Sequence, residues 1–310
     1  MNEFGWFTAL PGVVSTRGAS ESELAAFEAR TGRMLPPEVR QLYQHTNGME
    51  IGRGARIRIL NLEEVSRYVE SFRHFGIPSV WGYFPFTDRN DSNPHCVCCD
   101  GLAKGSVVRV NHDDIARIEY RSLAAFFTAV RDVLQQPEAD EDDGPSLWNL
   151  PQDFYPDTSD RIPEDVDTAK RLLEFADSLE VGSIERADAE RWAITLFSEA
   201  EAEEVARLLD EGDEYRRGEA FAKLSRMSSP IAAAAIQRDK QEESEFSRDV
   251  VRALKQAGLT VAEVSGGCPR LEPGCVWLNV PMFFTDRRSP TIFADIVNRA
   301  RELIALNTRD

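Results

Sequence analysis

Residues Leu35 to Ile51 read LPPEVRQLYQHTNGMEI, a helix with both of its ends marked. Pro36 and Pro37 suit a first helical turn, where a missing N–H has no intrahelical partner to lose. Val39, Leu42, Tyr43 and Thr46 share one face, and Asn47-Gly48 predicts a left-handed exit. Upstream, ASESE sets Ser20 as N-cap with Glu23 three residues on, a capping box, and Leu24 and Phe27 as the apolar face of a helix ending near Thr31-Gly32. Two helices so firmly delimited, with nothing catalytic in either, read as scaffold for the chain downstream.

Beyond Gly48 the period changes. ARIRIL, parts of VWGYFPF, HCVCC, SVVRV and IARIEY alternate, and Gly, Asp, Asn or Pro bound each one. That is the pattern of an antiparallel sheet with one solvated face. NLEEVSRYVESFRHFG interrupts the first two strands as a helix. SLAAFFTAVRDVL closes the region, with Ser122 as cap and Leu123, Phe126, Phe127, Val130, Val133 and Leu134 as the buried stripe. The order of elements gives an α+β class, helices against an antiparallel sheet.

Between Gln135 and Pro163 the chain has five prolines, a run of acids and no sustained period, which reads as a linker. Helical spacing resumes at Glu164 and continues through four segments. It is followed by helix SEFSRDVVRALKQAG, strands LTVAEV and CVWLNVPMFF, and helix TIFADIVNRARELIAL. The expected organisation is a domain over residues 1–135, an acidic linker over 136–163, and a mainly helical domain with a small α/β end over 164–310.

The 310 residues carry a formal charge of −17, and the excess is local: from Gln135 to Tyr215 there are 25 acidic residues against 6 basic ones. Such a field repels phosphate backbones and attracts a basic protein, so it points away from nucleic acid as a partner. No apolar run approaches the roughly 20 residues of a membrane-spanning helix. The N-terminus lacks the pattern of a signal peptide, and the five cysteines suit free thiols in a reducing compartment, so a cytoplasmic location is expected.

The segment ASESELAAFEARTGRMLPPEVRQLYQHTNG resembles the opening signature of the Smi1/Knr4 family, the SUKH superfamily. VWGYFPFTDRNDSNPHCVCCD, SVVRVNHDD and SLAAFFTAVRDVL are similar to its central strands and closing helix, in the same order. The resemblance covers roughly residues 15 to 135 and implies a SUKH-like sheet with packed helices. It also implies a non-catalytic binding module. Many bacterial members are immunity proteins that neutralise toxins, often nucleases, and fungal relatives are regulatory scaffolds linked to cell-wall synthesis.

No constellation of residues argues for chemistry. The four histidines all lie in the first half, without a Gly-x-Ser-x-Gly elbow, a P-loop or a dinucleotide fingerprint. His95, Cys96, Cys98 and Cys99 invite a zinc reading. Cys96 and Cys98 would share one strand face with Cys99 on the other, so small buried hydrophobes fit better. Cys268 and Cys275 flank PRLEPG, read as a hairpin loop. No catalytic residue, metal or cofactor is therefore assigned. In the strand Trp81, Tyr83, Phe84, Phe86, alternation puts the first pair on one face and the second on the other, so one pair is either core or a surface anchor beside acids. The candidate partner-binding set is Trp81 and Tyr83 with Asp88, Asp91, Asp100, Asp113 and Asp114, joined by the acidic tract Glu138 to Asp143. The expected partner is a basic toxin domain bound by occlusion, and the alternative role is a regulatory scaffold.

Overall fold

The computed structural model describes residues 13–51, 57–88, 93–111, 114–134, 163–265, 268–273, 275–280 and 289–307. The chain separates into two compact units, Met1–Ser198 and Glu199–Asp310. No helix among the described residues is long and apolar enough to cross a membrane.

The first unit is built on a seven-stranded antiparallel meander in sequence order: β1 (Val14–Ser15), β2 (Met49–Ile51), β3 (Ile57–Ile59), β4 (Tyr83–Asp88), β5 (His95–Cys98), β6 (Val107–Arg109) and β7 (Arg117–Tyr120). Helices α1 (Glu21–Thr31), α2 (Pro37–His45), α3 (Leu62–His74) and α4 (Leu123–Leu134) pack their apolar stripes on one face of it. The β1–β2 connection carries α1 and α2 and the β3–β4 connection carries α3, and each sequential strand still pairs with its neighbour.

Local signals start the helices as expected. Ser20 and Glu23 form the capping box of α1, Gly32 leaves it at φ 70°, and Asn61 with Glu64 forms a second box on α3. The exit of α2 is only partly the expected one. Gly48 has the positive φ, 119°, while Thr46 at the helix end is extended at φ −146°. Asn47 is used across the fold instead: its N–H donates to the Arg17 carbonyl, and its Oδ1 accepts from Leu62 N at 3.0 Å, an otherwise partnerless N–H in the first turn of α3. Tyr43 is fully buried and donates its hydroxyl to the Leu60 carbonyl at 2.7 Å, joining α2 to the β3–α3 turn. The firm punctuation of this helix therefore serves a keystone between α1, α3 and the sheet.

Phe84 and Phe86 point into the helix side. Phe84 meets Phe27 and Tyr43 edge-on at 5.6 and 5.4 Å, and Phe86 meets Phe126 at 5.0 Å. Pro85 lacks a ladder donor, and the register shift beside it between Pro85 and Thr87 is where a central strand tolerates such a residue.

The expectation of one solvated sheet face is corrected. Every residue of β4 and β5 is buried, because α5 (Pro163–Asp177) and α6 (Ile184–Leu196) cover the second face. Trp81 packs against Trp192 with ring centroids 4.5 Å apart and meets Phe175 edge-on at 5.6 Å. Trp192 donates its indole N–H to the Ala116 carbonyl at 2.9 Å, and an Arg121–Asp165 ion pair ties β7 to α5. The sequence pattern groups these two helices with the C-terminal ones. Their apolar faces are completed by the aromatic side of the sheet, and so they sit in the first unit.

The second unit begins with a 3₁₀ turn at Glu199–Glu201, followed by α7 (Ala202–Glu211), α8 (Glu214–Leu224) and α9 (Pro230–Gln256). Helix α9 runs unbroken for 27 residues from a Ser229 cap. A three-stranded antiparallel sheet comes next, β8 (Thr260–Ser265), β9 (Cys268–Glu272) and β10 (Val276–Trp277) in the order β10-β9-β8, and then α10 (Ile292–Asn307). Leu254, Leu271, Leu278, Ile292 and Ile296 form its core. Cys268 opens β9 and does not flank a loop: the stretch read as a hairpin loop is mostly strand, with the turn displaced to Pro273 and Cys275.

Candidate functional site

The described surface has a cavity of about 370 Å³ in the first unit, where three segments meet α6. The segment leaving α3 contributes Phe75, Ile77 and Pro78. The β6–β7 connection contributes Val110, Asn111, Asp114, Ile115 and Ala116, while Tyr83 of β4 and Ile184 and Asp188 of α6 close it. Its size lies at the small end of ligand pockets, about 300–1,000 Å³. Phe75 is 69% exposed and Ile184 46% exposed, so the mouth is apolar where most surface helices and turns would be polar.

Asp188 lies at the floor, 1% exposed. Its Oδ2 accepts from Trp81 Nε1 at 3.1 Å and from the Tyr83 hydroxyl at 2.9 Å, and its Oδ1 accepts from Ala116 N at 3.1 Å. Burial pushes the carboxyl up to about 7, against the opposing pull of those three donors and of Arg191. The same burial raises Tyr83 well above the usual phenol range, reinforced by the negative charge of Asp188. At the mouth, partial burial works to raise Asp114. Hydrogen bonds from Ile115 N, Arg117 and Arg191 outweigh it and hold the carboxyl low. Gly101, at φ 75°, lies against the Trp81 ring; a Cβ there would stand 2.9 Å from Cε3.

The residues expected to face a partner are placed unequally. Trp81 and Tyr83 are each 1% exposed and hold Asp188 in place; α6 lies over both rings, so they are not surface anchors. Asp88 is also buried, paired with Arg58 at 3.4 Å. Asp100 and Asp114 are exposed. Asp91, Asp113 and the tract Glu138 to Asp143 lie outside the described residues. Among the described members of that set, Tyr83 and Asp114 alone line the cavity. Sequence reasoning missed Asp188. Its signal was a carboxylate one turn before Trp192 on the stripe that also holds Ala189 and Leu196, an acid where an apolar residue belongs.

The cysteine cluster offers no donor set. Burial pushes the Cys96 and Cys98 thiols well above their usual range and Cys99 up to about 12, so all three stay protonated. Among the described residues, no group of three or more His, Cys, Asp or Glu side chains could hold a metal ion. His95 is buried against Glu119 at 2.7 Å and packs its ring near Phe126.

A sequential antiparallel meander with four helices on one face and a pair of added helices on the other defines an α+β domain with an appended helical cover. Residues 18–129 match the SMI1 / KNR4 family (SUKH-1). The N-terminal region is therefore a domain of that family, running from just before α1 into α4, and α5, α6 and the second unit lie beyond the match. No curated protein is significantly similar to the chain.

Proposed function

We propose that the protein works by binding and without catalysis, as an immunity-type protein that neutralises a protein toxin by covering its active site. The match of residues 18–129 to the SMI1 / KNR4 family carries this reading. The toxin is expected to be a basic domain of nuclease type, met in a bacterial cytoplasm. The charge of −17 supports a basic partner, because an acidic surface competes for a cleft built to hold a polyanion and speeds the encounter. The docking face is centred on the cavity mouth, where Phe75 and Ile184 supply exposed apolar area and Asp114 supplies charge.

The test is co-expression with the toxin domain encoded beside this gene, scored by cell survival, and titration of the purified toxin with the purified protein. Survival and loss of toxin activity at a 1:1 ratio are expected. Full toxin activity with the protein in molar excess would refute the proposal. The separation into two compact units favours a second reading, a regulatory scaffold that holds one partner on each unit. That reading predicts a ternary complex and no rescue.

A further inference from the structure

We propose that the cavity floored by Asp188 receives a lysine side chain presented by the protein partner. The inference rests on the reading of this protein as a partner-binding module and names what that partner must offer.

The floor needs a donor. A carboxylate offers about four acceptor positions, two on each oxygen. Trp81 and Tyr83 occupy both on Oδ2, and Ala116 N occupies one on Oδ1. The open position is on Oδ1, in a residue that lines the cavity.

Among the described residues Asp188 has no ion-pair partner, and Arg191 acts on it only through space, pulling its carboxyl down against the larger effect of burial. Arg191 turns its Nη1 to the Ile115 carbonyl at 2.8 Å and to Asp114 at 3.3 Å. Burial disfavours the charged form of Asp188, and an ammonium brought to Oδ1 would favour it.

The walls choose the stem. Phe75, Ile77, Pro78 and Ile184 line an apolar passage to the floor, which suits the four-carbon chain of lysine. A single free acceptor position fits a compact ammonium. The planar fork of arginine needs two coplanar acceptors to be used well.

The full chain should be titrated with n-pentylamine, and separately with n-pentanol, which has the same stem and no charge. The readout is the ¹⁵N-labelled indole signals of Trp81 and Trp192. A saturable shift with the amine is expected, with the alcohol about tenfold weaker or more, as befits a charge-assisted hydrogen bond. Ile184→Arg, at a position 46% exposed at the start of α6, should weaken the amine by placing a cation at the mouth. Asp188→Asn should do the same where its indole signals stay dispersed. Equal binding of amine and alcohol, an amine affinity unchanged by Ile184→Arg, or no shift with either probe would overturn the inference. Those results leave toxin neutralisation standing, since it is scored by survival. A protein that binds the amine and never suppresses its toxin would sink the broader reading alone.

Discussion

Replacing Asp188 by Asn should change stability in a way that depends on pH, and the sign is set by where the proton sits. The unfolded carboxyl ionises near 3.8, while the folded one keeps its proton up to about 7. Between those values the folded state binds more protons than the unfolded state, so this group's contribution falls as pH rises and is fully lost above about 7. A tenfold difference in proton affinity between the two states is worth about 1.4 kcal/mol, which places the loss between pH 5 and pH 8 at about 2–3 kcal/mol. Asparagine does not titrate. It does turn an NH₂ toward at least one of the donors Trp81 Nε1 and Ala116 N, leaving a buried donor without an acceptor at about 1–3 kcal/mol. At pH 5 the variant should therefore be the less stable protein, and by pH 8 the gap should close or reverse. Urea unfolding of both chains at the two pH values, followed by tryptophan fluorescence, measures this directly, and every other titrating group cancels in the comparison. A gap between the two proteins that stays constant from pH 5 to pH 8 would refute the argument that burial controls this carboxyl.

Trp192→Ala removes a fully buried ring that packs on Trp81 and holds the Ala116 carbonyl, and should cost about 3–5 kcal/mol in urea midpoint analysis. An unchanged midpoint would mean that α6 does not brace the sheet. Ser20→Ala breaks the capping box of α1 and should cost about 1 kcal/mol, read as a drop in melting temperature that Ser20→Asp largely avoids. Gly101→Ala forces a side chain into φ 75° and against Trp81; a loss of about 1–2 kcal/mol, together with an altered Trp81 fluorescence maximum, is expected. Association with a basic toxin domain should slow several-fold as salt rises from about 0.05 to about 0.5 M, and a stopped-flow on-rate indifferent to salt would argue against acidic steering.

The local grammar of the first domain was legible because short-range physics writes it. Ser20 with Glu23, Pro36-Pro37 and Gly32 act within one turn of themselves, and the alternation of ARIRIL, HCVCC and SVVRV is a property of each strand alone. Even there, neighbours intervened. In the expected exit Asn47-Gly48 it is Gly48 that takes the positive φ, and Asn47 caps α3, since its partner Leu62 lies 15 residues on. VWGYFPF held a clue in being apolar nearly throughout, the mark of a strand covered on both faces. The cover for its second face comes from beyond the Pro-rich segment.

The sequence by itself thus determined the SMI1 / KNR4 sheet and its four helices, each with its own caps and period. Only the tertiary structure decided what becomes of Trp81, Tyr83 and Asp188. The first two meet the third across 107 and 105 residues, and a carboxylate's burial and proton affinity depend on which surfaces close over it, a relation that no local pattern encodes.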